Sequence, residues 1–299
     1  MTSFHGVWPA LLTPLTANDE VNIPALRRLL DYVLGAGIYG VYVCGSTGEW
    51  VLLSPEERML LAEATVSHVA GQVPVMVHVG AASTRDAVAL AGHARDIGAD
   101  AVSAVPPFYY NVDSSGLVAH YRRIAQAAQL PVYVYNLPAV TGVNVTVKVL
   151  QELLDLGCIQ GLKYTSYNLL EMRQIIETCG DRLTVLAGHD EIILPSLVMG
   201  VQGGIGTTYN CLPHLFVELC DAWCKGDVAQ AQELQFVVDR VVLALARYNV
   251  IPSVKVAMRF LGLDCGGPRL PLRPLTDDEE TSLRADLEQV GFFDHAVIS

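Results

Sequence analysis

Residues 131–166 read PVYVYNLPAVTGVNVTVKVLQELLDLGCIQGLKYTS. Two short apolar runs rich in Val, Tyr and Leu, 132–135 and 161–164, flank a segment, 147–154, whose apolar residues recur at helical spacing. The runs alternate only weakly between apolar and polar. Such strands suit a parallel sheet, with helices over one face and a packed interior against the other. The stretch therefore reads as one β-α-β unit.

The unit repeats outward in both directions. Strands are expected at 6–12, 40–44, 73–79, 101–105, 132–135, 161–164, 184–187 and 203–206. Helical patterns lie at 23–34, 55–69, 84–97, 116–128, 147–154, 169–178 and 191–198. Ser54-Pro55-Glu56-Glu57 marks one helix start, with a capping serine, proline at the first helical position and glutamate three residues after the cap. Eight strand-helix units predict an α/β fold, a (β/α)8 TIM barrel over residues 1–225. Helical segments at 214–225, 228–246, 253–261 and 277–290 carry the chain into a C-terminal helical extension, 226–299. A doubly wound open sheet would place a GxGxxG turn after the first strand, where this chain has Leu11-Leu12-Thr13-Pro14.

Composition agrees with one large core: 52% of the 299 residues are hydrophobic and 17% charged, which excludes a disordered chain. The 31 acidic against 19 basic residues leave a charge of −12, which argues against a nucleic-acid partner or an anionic membrane surface. The start, MTSFHGVWPALLTP, has no basic segment followed by an apolar one, and no apolar run reaches the roughly 18 residues that span a bilayer. A cytoplasmic protein is expected. Seven scattered cysteines without a CxxC pair read as reduced core thiols. Cys220 and Cys224 share a helix face, but no further ligands complete a metal site beside them.

Active sites of such barrels form at the C-terminal ends of the strands. The polar residues expected there are Gly45-Ser46-Thr47-Gly48-Glu49, Phe108-Tyr109-Tyr110, Tyr135-Asn136, Lys163 with Thr165, Gly188-His189-Asp190-Glu191 and Thr207-Thr208-Tyr209-Asn210. Lysine is scarce, and of Lys148, Lys163, Lys225 and Lys255 only Lys163 falls on a strand. Strand periodicity points Gly161, Lys163 and Thr165 to one face and Leu162 and Tyr164 to the other, which places an amine inside the barrel. An unpaired ammonium in an apolar interior is costly, so the neutral amine, a nucleophile toward carbonyls, becomes accessible. The alternative is a lysine paired with a buried carboxylate, and Lys255 is the rival amine. Tyr133 and Tyr135 share a phase and could both enter the barrel, Tyr135 as a proton carrier or as an ordinary core tyrosine. Gly45-Ser46-Thr47-Gly48 offers N–H groups and hydroxyls for a carboxylate, or forms a plain turn. Asp190 and Glu191 could join His189 at a metal, bind substrate hydroxyls, or form the acidic first turn of a helix. His78 reads as a satisfied core residue. Neither HExxH nor a P-loop occurs.

Gly45-Ser46-Thr47-Gly48-Glu49, Tyr135-Asn136-Leu137-Pro138 and Gly161-Leu162-Lys163, in this order, resemble the N-acetylneuraminate lyase and dihydrodipicolinate synthase family of pyruvate-dependent class I aldolases. The likeness runs over nearly the whole chain. It implies a homotetrameric barrel in which Lys163 forms a Schiff base with C2 of pyruvate or another 2-oxo acid, without metal or organic cofactor. Ser46 and Thr47 would bind the carboxylate, and Tyr135 would act as general acid and base. Tyr109 from a neighbouring subunit would complete the relay, so that Lys163, Tyr135, Tyr109 and Thr47 make the catalytic set. The synthase branch places an arginine just after the tyrosine motif, where this chain has Val140.

The lyase branch is similar also at His78-Val79-Gly80, at Gly188-His189-Asp190-Glu191 and at Gly204-Ile205-Gly206-Thr207-Thr208-Tyr209-Asn210. There the resemblance implies that Gly188, Asp190, Glu191 and Thr207 bind a polyhydroxylated tail, with Thr165 close to the Schiff base. Thr207 stands where serine is usual, and Ile251 where some lyases carry an aromatic residue. The activity expected is cleavage of N-acetylneuraminate to N-acetylmannosamine and pyruvate. The rivals are another 2-keto-3-deoxy sugar acid aldolase or dehydratase, dihydrodipicolinate synthase, metal-assisted aldol chemistry at His189, Asp190 and Glu191, and a non-catalytic barrel that binds a keto acid.

Overall fold

The computed structural model describes residues 4–296; the outermost three residues at either end, which include parts of the amino-terminal stretch and of the 226–299 extension read above, lie outside the described residues. Eight parallel strands follow one another: β1 (Gly6–Pro9), β2 (Val41–Val43), β3 (Val75–His78), β4 (Ala101–Ala104), β5 (Val132–Asn136), β6 (Gly161–Tyr164), β7 (Thr184–Ala187) and β8 (Gly203–Gly206). From β2 to β8 each strand pairs with the next in sequence, and β8 returns to β1. The seam between β1 and β2 is a bridge from Ala10 to Tyr42, where the Leu11 N–H donates to the Tyr42 carbonyl at 2.8 Å. The ring so formed is the (β/α)8 barrel expected from the repeat.

Helices α1 (Ile23–Gly35), α2 (Pro55–Val69), α3 (Thr84–Asp96) and α4 (Ser114–Ala128) alternate with the strands. A one-turn helix α5 (Pro138–Thr141) precedes α6 (Val147–Asp155); α7 (Leu169–Cys179), α8 (Ile193–Met199) and α9 (Pro213–Cys224) complete the outer layer. The chain ends in α10 (Val228–Ala246), α11 (Val250–Phe260), α12 (Asp277–Gln289) and α13 (Phe292–His295). The capping box at Ser54 forms: the Glu57 N–H donates to Ser54 Oγ at 3.2 Å, and the Ser54 N–H to Glu57 Oε2 at 2.8 Å. No single described helix is long and apolar enough to cross a membrane.

Several boundaries differ from the sequence reading for local reasons. The first strand stops at Pro9 because the chain then changes neighbours, Ala10 N–H bonding to Gly206 and Leu11 to Tyr42 across the seam. β2 ends before Cys44, whose φ of 60° is left-handed. The helix expected from 191 starts at Ile193, since residues 190–192 form a 3₁₀ turn. The helix expected from 253 starts at Val250, with Pro252 in its first turn, where a missing N–H costs nothing. Cys224 is exposed, unlike the six other cysteines, so it is no core thiol; α9 ends there.

Period-two alternation sorts the strand residues into two layers. Trp8, Tyr42, Met76, Ala101, Tyr133, Tyr135, Leu186 and Ile205 turn inward and pack together. Val7, Val41, Val43, Val102, Leu162, Tyr164 and Val185 turn outward against the helices. Inward aromatics need facing gaps, and glycine supplies them: a Cβ on Gly161 would lie 1.9 Å from the Tyr133 ring. At the β1–β8 pairing a Cβ on Gly203 would lie 2.1 Å from the Gly6 carbonyl oxygen, which is backbone and cannot rotate away. Gly203→Ala is therefore expected to destabilise the barrel by about 3 kcal/mol or more, read as a lowered urea midpoint; an unchanged midpoint would contradict this packing.

Candidate active site

Lys163 lies inside the barrel on β6, 3% exposed, beside Tyr135 of β5. Its Nζ is 4.1 Å from the centroid of the Tyr135 ring and 4.4 Å from that of Tyr42. Among the described residues no carboxylate comes within 4 Å of it. The amine is thus held by two aromatic faces, an arrangement that accommodates an ammonium by cation–π attraction while leaving the nitrogen unbonded. The other buried lysine differs. Lys255 Nζ, on α11, is 2.6 Å from Glu49 Oε1 and donates to the Gly267 carbonyl at 2.8 Å. Burial lowers the Lys255 pKa and the Glu49 carboxylate opposes that shift. The buried-carboxylate alternative considered for Lys163 is realised at Lys255.

Residues 45–48 follow β2 between two left-handed residues, Cys44 (φ 60°) and Glu49 (φ 59°). Non-glycine residues in this region cost about 1 kcal/mol or more each and persist only where the surroundings enforce them. The enforcement is visible. Thr13 Oγ1 donates to the Gly48 carbonyl at 2.7 Å, the Glu49 N–H to the Ser46 carbonyl at 3.0 Å, and Glu49 is fixed by Lys255 and by the Arg269 N–H at 2.7 Å. Gly45 has to be glycine, because a Cβ there would meet the Tyr42 ring at 2.3 Å. The loop so held brings Ser46 Oγ to 3.3 Å from the Tyr135 hydroxyl and Thr47 Oγ1 to 2.7 Å from Thr207 Oγ1. Ser46, Thr47, Tyr135, Lys163 and Thr207 thus form one contiguous group.

The ends of β6, β7 and β8 build a second, polar wall. Thr165 is buried, and its Oγ1 has no hydrogen-bond partner among the described residues; a Cβ on Gly188 would lie 1.7 Å from it, so glycine is required there. A buried hydroxyl without a partner asks for a polar ligand atom. Asp190 is buried, and its Oδ2 accepts the Thr208 N–H at 2.7 Å and the Thr208 hydroxyl at 2.6 Å. Burial pushes its pKa up to about 6, against the lowering by those two bonds. Glu191 Oε1 accepts from the Tyr167 hydroxyl, and the Tyr167 ring stacks on His189 at 4.2 Å. That bond drives the phenol up to about 12. Burial lowers the pKa of His189, so its 3.5 Å contact with Glu191 is that of a neutral imidazole. Among the described residues no three of His, Cys, Asp and Glu converge as a metal site.

Tyr109 stands apart, 87% exposed with φ 82°, its ring against Tyr110. Neither Tyr42 and Tyr167 as site residues nor the pairing of Glu49 with Lys255 is foreseen by the sequence reading. Tyr42 had a signal, since alternation in β2 turns it to the Lys163 side. His78 is buried and neutral, Nδ1–H donating to the Cys44 carbonyl at 3.0 Å and Nε2 accepting the Val105 N–H at 3.3 Å.

Residues 3–290 match the model of the dihydrodipicolinate synthetase family. An N-acetylneuraminate lyase of Rhizobium meliloti is 38% identical over 280 residues, 94% of this chain and 93% of the relative. A 4-hydroxy-tetrahydrodipicolinate synthase of Methanothrix thermoacetophila is 36% identical over 290 residues, 96% of this chain and 97% of the relative. A solved sialic acid aldolase of Ruminococcus gnavus, a catalytic lysine mutant, superposes with a TM-score of 0.94 at 25% identity, covering 99% of this chain and 100% of that one.

Two outcomes follow from this electrostatic arrangement. Lys255→Met leaves the Glu49 carboxylate buried without its cation and is expected to cost about 3–5 kcal/mol, whereas adding Glu49→Gln recovers part of the loss; equal stability of single and double variants would refute the coupling. For Asp190 the native pKa of about 6 lies above the ordinary 3.8, so the native chain binds more protons than the unfolded one between these values. The associated stability is full below about pH 4 and lost as pH rises through about 6, about 3 kcal/mol in all. Unfolding of the wild type and Asp190→Asn across that window should show the wild type losing ground with rising pH, and a constant difference would contradict the burial argument.

Proposed function

The chain belongs to the dihydrodipicolinate synthetase family, whose members are class I aldolases and lyases, and from that premise we propose that it is a Schiff-base enzyme cleaving N-acetylneuraminate to N-acetylmannosamine and pyruvate. The observation that carries the reading is Lys163, an amine buried among tyrosine rings with no carboxylate within 4 Å among the described residues. Its nitrogen attacks C2 of the 2-oxo acid, and Tyr135 gives the proton with which the C2 oxygen leaves as water, so that an iminium and the Tyr135 phenolate remain. Tyr135 takes the proton of the C4 hydroxyl, the C3–C4 bond breaks, and its electron pair passes into the iminium as an enamine. The aldehyde leaves. Protonation at C3 and hydrolysis of the resulting iminium return the amine and pyruvate.

Ser46 and Thr47 hold the substrate carboxylate at the loop before Glu49. Thr165 meets the substrate near C2, and Gly188, Asp190, Glu191 and Thr207 receive the hydroxylated tail. Tyr109, 87% exposed and held at a left-handed φ of 82°, supports insertion of that ring into a neighbouring subunit of a homotetramer. Val140, 76% exposed where the synthase branch carries arginine, offers no cation for a second carboxylate. A second reading, a shorter 2-keto-3-deoxy sugar acid, is favoured by the Tyr167 hydroxyl, which already engages Glu191.

Incubation with pyruvate and borohydride, followed by peptide mapping, is expected to find a reduced pyruvyl adduct on Lys163. Lys163→Ala should give no adduct and lose turnover. An adduct on Lys255, or substantial activity in the variant, overturns the proposal.

A further inference from the structure

The loop after β2 begins at Cys44, whose left-handed φ of 60° has no local cause, since cysteine bears a Cβ that disfavours this region. Something has to hold it there. The Cys44 carbonyl accepts the Nδ1–H of His78, the last residue of β3, at 3.0 Å. The tautomer is set by the other ring nitrogen, because Nε2 accepts the Val105 N–H at 3.3 Å and so carries no proton of its own. One imidazole thus joins the residues that directly follow β2 and β4.

His78 is itself buried and held from several directions. Arg58 of α2 donates from Nη2 to the His78 carbonyl at 2.8 Å and from Nη1 to the Gly80 carbonyl at 2.9 Å. Gly80 has to be glycine, because a Cβ there would lie 2.7 Å from His78 Nε2. The chain after β3 therefore closes over the ring. Trp50, which follows Glu49, packs its ring against the imidazole with centroids 4.9 Å apart and lies 5.0 Å from the Arg58 guanidinium carbon. Residues 45–49 are consequently pinned to His78 at both ends, by Cys44 before them and by Trp50 after them.

The imidazole has no hydrogen bond to spare for a ligand, since both of its nitrogens are engaged, and its centroid is 6.0 Å from that of the Tyr135 ring. What it controls is the loop between its two anchors, which carries Ser46 to 3.3 Å from the Tyr135 hydroxyl. We infer that His78 is a positioning residue, which sets how tightly the loop holds the carboxylate of the 2-oxo acid by keeping Cys44 left-handed. The inference rests on the Schiff-base reading above and on the role given there to Ser46 and Thr47. No proton leaves the imidazole during turnover.

Two variants separate the two bonds: an asparagine amide reaches about as far as Nδ1, and a glutamine amide about as far as Nε2. Adduct formation on Lys163 is trapped with borohydride over a series of pyruvate concentrations, and half-saturation and plateau rate are read separately. His78→Asn, which keeps a donor for the Cys44 carbonyl, is expected to stay within about twofold of the wild type in half-saturation. His78→Gln and His78→Leu, which lose that donor, are expected to need about tenfold more pyruvate at an unchanged plateau. Glycine adopts left-handed backbone unaided, so adding Cys44→Gly to His78→Leu should return half-saturation toward the wild-type value, a rescue that a merely structural histidine would not give. His78→Gln with Cys44→Gly makes the same comparison where His78→Leu does not fold. Unchanged half-saturation on loss of the donor, an effect confined to the plateau, asparagine no better than glutamine, or failure of the glycine rescue overturns the inference and leaves the Schiff-base reading standing. Absence of any adduct on Lys163 in the wild type removes both.

Discussion

A closed ring of eight short parallel strands has an interior that must be filled by its own side chains, and everything else in this molecule follows from how it is filled. Trp8, Tyr42, Met76, Tyr133, Tyr135, Leu186 and Ile205 occupy most of the space, while Gly161 and Gly203 yield it. Close packing leaves little room for adjustment, so each inward residue sets the position of the next. Gly45 sits against the Tyr42 ring, the Tyr42 ring faces Lys163, and Lys163 faces Tyr135. The loop at residues 45–49 is therefore positioned by the same contacts that hold the amine.

Two buried lysines receive opposite treatment, and the contrast separates chemistry from architecture. Lys255 is neutralised by Glu49 and spends a further donor on the Gly267 carbonyl. It fastens the C-terminal helices to the loop after β2, and removing one partner would strand a buried charge. Lys163 lacks such a partner among the described residues and rests against two tyrosine rings that leave its nitrogen unbonded. Lys255 joins two parts of the fold, whereas the Lys163 nitrogen has no hydrogen-bond partner among the described residues.

The polar wall is similarly built by distant support. Asp190 is aimed by Thr208, and Gln235 of α10 holds the backbone beneath it, donating to the Asp190 carbonyl at 3.3 Å and accepting the Leu194 N–H at 2.8 Å. A helix outside the barrel thus stiffens a turn inside its mouth. The C-terminal helices do more than extend the chain, because α10 and α11 reach the site through Gln235 and Lys255.

Much of this is legible in the sequence. Strand phase placed Lys163, Tyr133 and Tyr135 inside, since alternation is a local property of extended backbone. Repetition of strand and helix identified the barrel, and Ser54 to Glu57 marked a helix start from four consecutive residues. The family resemblance carried by three ordered motifs implied that Ser46, Thr47, Tyr135 and Lys163 share one site. Other features had no local signature. The pairing of Glu49 with Lys255, the Thr47–Thr207 contact and the Tyr167 hydroxyl on Glu191 join segments far apart in the chain. Only closure of the ring and docking of the C-terminal helices bring them within reach. The sequence by itself determined which side chains turn inward, because backbone periodicity dictates direction; the tertiary structure alone decided which of them meet, because contact depends on how the whole ring packs.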